Sequence, residues 1–120
     1  MMAGQKGTDT MKIIAANTED KKELYRMTHA VKTGKVIDLA GQTVTVDKWV
    51  MYSDDPDEEG KEPKEVLTMV LDTGEIVGTI SKTFIKEFCD ILDVLGELPP
   101  LLVETSTTKN GRTFVFPVPV

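Results

Sequence analysis

The feature that most constrains this chain is a single switch of hydrophobic period set between strand-like runs. Residues 65–80, EVLTMVLDTGEIVGTI, form two apolar, β-branched runs around Asp72-Thr73-Gly74 and read as a hairpin. Directly afterwards Phe84, Ile85, Phe88, Ile91, Leu92 and Leu95 line one face of a helix. Ser81 suits its N-cap, Gly96 its C-cap, and Pro99-Pro100 prevent continuation. The strand pattern then returns in TSTTKNGRTFVFPV. There Asn110-Gly111 predicts a two-residue turn joining strands at about 101–108 and 112–118.

Upstream, TVTVDKWVMY (43–52) alternates and is rich in β-branched and aromatic residues, which predicts another strand. Before it, Asn17 or Thr18 can cap a helix whose first turn holds Glu19 and Asp20. Leu24, Met27 and Val31 supply its apolar face, and the helix is expected to end near Gly34. MKII (11–14) fits a short strand, and the Gly- and polar-rich residues 1–10 read as a disordered tail. Residues 11–120 then form one domain, long enough for a single core.

In order, the core reads strand, long loop, strand, turn, strand, helix, strand, turn, strand. This predicts a mainly β fold: a five-stranded OB-fold-like barrel with a helix between its third and fourth strands, plus an extra N-terminal helix. An open α+β sheet carries the same string of elements. Closure has the physical attraction of hiding strand edges such as EVLTMVL. In OB-folds the ligand face is strands 2–3, flanked by the loops joining strands 1–2 and 4–5.

Charge bears on what such a face could hold. The net charge is −6, yet DDPDEEGKE (54–62) alone carries −5, leaving −1 for everything else. That stretch, with Pro56 and Gly60, reads as a solvated loop; a second reading is that its acids imitate phosphates over a basic groove. Its basic exit, Lys61 and Lys64, and the Lys109–Arg112 tip fall on the two ligand-flanking loops. The charge distribution thus leaves room for a basic surface elsewhere on an acidic protein.

The chemistry of catalysis is missing. His29 is the sole histidine and has no cysteine at metal-ligand spacing, and Cys89 lies among helix apolar residues without an activating partner. Gly74 and Gly78 are isolated, so there is no phosphate-cradling glycine loop, and the acidic stretch lacks the spacing of a calcium loop. No metal, cofactor or enzymatic activity is expected. A single cysteine fits a reducing compartment, and no apolar run reaches the length of a membrane span, so a cytoplasmic setting is expected.

What remains is aromatic residues on strands beside cations, the means of sequence-tolerant single-strand binding. The candidate residues are Lys48, Trp49, Tyr52, Lys64, Lys82, Lys109, Arg112 and Phe114. With Val44, Val46 and Val50 inward, Trp49 points outward with Thr45 and Met51; the alternative is burial under a loop or the first helix. Tyr52 has the opposite parity, and only a bulge would bring both rings outward. Phe114 and Phe116 share a face, which either fills the core or meets the ligand.

Three stretches carry a resemblance: KWVMYSDD, KEVLTMVLDTGEIVGTISKTF and TSTTKNGRTFVFPV. Together they resemble the small single-stranded DNA-binding proteins of bacteriophages infecting Gram-positive bacteria, including protein-primed Bacillus phages. The likeness covers roughly residues 41–118, and NTEDKKELYRMTHAV is similar to an N-terminal helix of some relatives. It implies an OB-type domain that coats single strands exposed in phage replication, with Tyr52 stacking on a base; a role in plasmid replication and replication proteins as partners are expectations apart from the resemblance. Trp49 stands where relatives are expected to be aliphatic, which favours packing. The competing reading is a non-catalytic interaction module that docks on a replication or host protein through the acidic loop.

Overall fold

The computed structural model describes residues 11–29, 34–54 and 64–120. It is mainly β, with eight strands in two sheets and two α-helices. In chain order these are β1 (Met11–Ala16), α1 (Lys21–Thr28), β2 (Gly34–Lys35), β3 (Thr43–Val44) and β4 (Val46–Asp54). There follow β5 (Lys64–Leu71), β6 (Ile76–Thr79), α2 (Lys82–Leu95), β7 (Leu101–Thr107) and β8 (Thr113–Pro119). One turn of 3-10 helix, Val36–Leu39, links β2 to β3. The larger sheet runs β1-β4-β5-β6-β2 and the smaller β3-β7-β8. Among the described residues no helix is long and apolar enough to cross a membrane.

Helix α2 forms as its pattern requires. The Ser81 hydroxyl accepts the Phe84 N–H at 3.2 Å, and Gly96, at φ +78°, closes the other end by donating to the Leu92 carbonyl at 2.8 Å. Phe84, Ile85, Phe88 and Ile91 of its apolar face enter the main core, which lies between the two sheets.

Helix α1 starts later than expected. Its cap is Asp20, whose carboxylate accepts from Lys22 and Glu23 N–H at 2.9 and 3.4 Å. Asn17 cannot serve because its side chain is used elsewhere. Its amide oxygen accepts the Trp49 N–H at 2.8 Å and its Nδ2 donates to the Asp47 carbonyl at 3.1 Å. Thr18 instead accepts the Asp20 N–H at 3.2 Å. Of the expected apolar stripe Met27 is buried and Leu24 half-buried, whereas Val31 lies outside the described residues.

The Asn17 contacts hold a β-bulge. Val46 pairs with Leu71 but Lys48 with Val70, so Asp47 is one residue too many on β4. The bulge reverses the parity of everything after it. Val44 and Val46 pack against the main core, and beyond Asp47 it is Trp49 and Met51 that face it, not Val50. Trp49 is therefore buried, 8% exposed, with its ring edge-on to Phe88 at 5.4 Å; the expectation of an outward Trp49 is corrected. Val50 and Val70 face the other way and form a second, smaller core with Met27 of α1. Strand β5, covered on both faces, is continuously buried from Leu67 to Leu71.

The last hairpin also differs from expectation. Thr108 N–H donates to the Arg112 carbonyl and Gly111 N–H to the Thr108 carbonyl, so Lys109, Asn110 and Gly111 bridge the strands, with Gly111 at φ +83°. This is a three-residue turn with a glycine bulge rather than a two-residue turn. On β8 the core positions are Val115 and Pro117, while Phe114 and Phe116 are half-buried on the opposite face.

The strands do not close into one barrel. The chain 43–54 joins the sheets on one side, because β3 pairs with β7 while β4 pairs with β5. On the other side β6 and β8 share no ladder. Two features of the edges explain the gap. Gly34 and Lys35 occupy the outer edge of β6 as a short parallel strand, and β8 carries Pro117 and Pro119, which have no N–H to donate.

Because Asn17 satisfies the bulge backbone, Asn17→Ala should lower unfolding free energy by about 1–2 kcal/mol in urea denaturation followed by Trp49 fluorescence. An unchanged midpoint would show that the bulge does not depend on Asn17.

Candidate nucleic-acid interface

The unpaired side of the fold is a groove. One stretch of about 480 Å³ lies by the end of α1, where Tyr52, Thr68, Gly78 and Lys35 line it. A second stretch adjoins it at Ile37, Thr79, Ile80 and Val115, which line both. Lys82, Arg112, Thr113 and Phe114 line that second stretch. Past Ile80 and Lys82 the surface runs on to Lys64, Lys86 and Cys89.

Its charge runs opposite to that of the chain. Among the described residues the first two stretches are lined by Lys35, Lys82 and Arg112 and by no carboxylate; Glu65 enters in the third, beside Lys64 and Lys86. Among the described residues Lys82 and Arg112 have no acidic partner within 4.0 Å, whereas Lys86 is held by Asp90 at 3.3 Å. Unpaired cations beside an apolar floor attract a polyanion that has apolar faces.

Of the residues expected from sequence, Tyr52 lines the first of these adjoining stretches, Lys82, Arg112 and Phe114 the second, and Lys64 the third. Lys109 is exposed in the adjoining turn, one strand end from Arg112. Lys48 and Trp49 are not part of it. The bulge turns Lys48 towards α1, where Nζ lies 3.8 Å from the Glu23 carboxylate, and sends Trp49 into the core. Tyr52 is half-buried against the second core and shows the groove only part of its ring. Lys61 and most of the acidic stretch lie outside the described residues.

Helix α1 alters the expected ligand face. It packs on β4 and β5 and covers Val50 and Val70 of the outer face of the large sheet, while Tyr52, Thr68 and Gly78 of that face line the groove. Sequence reasoning missed Lys35 and Ile80. Ile80 is 62% exposed at the point common to all three stretches. Its signal was its place: an isoleucine between a strand end and a helix cap, outside the period of either. Lys35 had no such signal, because its position depends on the parallel pairing of Lys35 with Gly78.

Cys89 borders the third stretch, with Sγ 3.5 Å from the Met51 sulfur. Burial pushes its pKa above the ordinary thiol value, and Asp93, Asp90 and Glu65 push it the same way. A raised pKa leaves less thiolate at neutral pH, so the group is a weak nucleophile. Comparison of the chain with protein-family models, curated proteins and solved structures finds no match.

Reaction of Cys89 with Ellman's reagent should be slower at neutral pH than that of an unstructured cysteine peptide, with the rate still climbing above the ordinary thiol pKa. A rate equal to that of the peptide would contradict the burial described.

Proposed function

We propose that this chain is a non-catalytic protein that binds single-stranded DNA with little sequence preference, holding it in the groove between β6 and β8. The observation that carries this reading is the set Lys35, Lys82 and Arg112, which among the described residues line one apolar groove with no carboxylate beside them, in a chain of net charge −6. Cations on a backbone path give affinity without sequence, because every nucleotide has the same phosphate. Phe114 and the exposed part of Tyr52 offer rings at separate places on that path, and any base has a face to stack on them.

The element order supports a finer reading of the core as OB-type. In it the chain 43–54 is the first strand, β5 and β6 the second and third, and α2 precedes β7 and β8 as the fourth and fifth. The groove is then the seam between third and fifth strands left open. The resemblance of residues 41–118 to phage single-strand binders supports the same function, and with it a role in coating strands exposed during phage or plasmid replication in the host cytoplasm. The work asked of the site is electrostatic and stacking, which needs no cofactor.

A labelled oligo(dT) should bind saturably at low salt and duplex DNA of equal length much more weakly. Trp49 is buried, so the label has to be extrinsic. Log affinity against log salt should fall with a slope of about −2 if three phosphates are neutralised, at roughly −0.7 each. Lys82→Ala and Arg112→Ala should each make the slope shallower by about 0.7. Absence of saturable binding at low salt, or equal binding of duplex, would overturn the reading.

A further inference from the structure

The open edge of β8 has a direction that the hydrogen bonds around it define. Val103 of β7 donates its N–H to the Gln42 carbonyl at 2.9 Å and accepts from Gly41 N–H at 2.7 Å, so its backbone faces away from β8. The pair Val103–Pro117 is then a non-hydrogen-bonded pair of the antiparallel ladder. Alternation makes Thr105–Val115 and Thr107–Thr113 the same kind of pair, and the Thr108 to Arg112 bond falls on the other parity as it should. The backbone groups of Thr113, Val115, Pro117 and Pro119 therefore point away from β7, to the side where β8 has no neighbouring strand.

Along that edge the prolines remove the donors of the second half. Two N–H groups are left, those of Thr113 and Val115, and both residues line the groove beside Arg112 and Lys82. Among the described residues neither N–H meets an acceptor. Val115 buries its side chain in the main core while the residue still lines the groove, so its N–H is met by water or by a ligand there.

We infer that the unpaired N–H groups of Thr113 and Val115 are part of the binding surface and donate to successive phosphates of the strand in the groove. The inference rests on the single-strand reading above. Residues two apart in a strand are about 6.7 Å apart, so the donors serve different acceptors rather than one. A main-chain donor is fixed by the ladder, and its bond to a phosphate oxygen is charge-assisted. The same edge suits an added peptide strand poorly, because the prolines leave it only two donors and the flanking side chains are cations.

Proline substitution tests this directly. The native prolines at 117 and 119 have the same parity, so Thr113→Pro deletes one groove-facing N–H without breaking the β7 ladder. It should weaken oligo(dT) binding about tenfold with an unchanged unfolding midpoint and an unchanged salt slope, because no cation is lost. Thr113→Val, which keeps the N–H, should bind within about twofold of wild type. Val115→Pro should weaken binding as much, but it also alters a core residue, so Thr113→Pro decides. Wild-type affinity in a folded Thr113→Pro protein, or equal loss in Thr113→Val, would overturn the inference while leaving the groove reading intact. Failure of the wild type itself to bind oligo(dT) would instead remove the reading beneath it.

Discussion

The extra residue at Asp47, held by the Asn17 amide, is the constraint on which the rest of the structure depends. Strand side chains alternate with a period of two, so one inserted residue exchanges the faces of everything beyond it. It sends Trp49 and Met51 into the main core and leaves Val50 for the small core under α1. It also turns Lys48 to the helix, where it meets Glu23. A bulge strengthens local twist, and twist lets one run of chain, residues 43–54, serve two sheets.

With one side joined by that run, the opposite side is decided by what sits on the two facing edges. A full ladder between β6 and β8 would consume the donors and acceptors of both. A short parallel strand occupies one edge and two prolines blunt the other, so the gap stays open and polar groups line it. Ordinarily an exposed edge invites another chain. Here the prolines limit that risk, and under the proposed function the surrounding cations direct what is left of the edge to nucleic acid. The acidity of the chain is concentrated elsewhere in the sequence, which lets a basic groove coexist with a net charge of −6.

Much of this was legible in the sequence because local chemistry determines it. The period of Phe84, Ile85, Phe88 and Ile91, the Ser81 cap and the Gly96 stop identify α2, and Gly74 and Gly111 mark turns they do occupy. That Lys64, Lys82 and Arg112 fall at loops and strand ends was also readable, whereas the reading in which Phe114 fills the core is not met, since Val115 and Pro117 take those positions. What was not readable depends on contacts far apart in the chain. Asn17 and Asp47 are 30 residues apart, and nothing near Trp49 announces that its face has been exchanged. The same holds for Lys35, placed by pairing with β6, and for the unclosed seam, where the meaning of Pro117 and Pro119 depends on which side of β8 has a partner.

The claim at the centre of this account is that single-stranded DNA lies between β6 and β8. Backbone amide chemical shifts recorded during titration with oligo(dT) test it most directly. The account predicts saturable shifts concentrated at Thr79–Lys82 and Arg112–Val115, with the buried bulge around Asp47 and Trp49 little changed. Shifts confined to α1 or to the free edge of β1, or none that saturate, would contradict it.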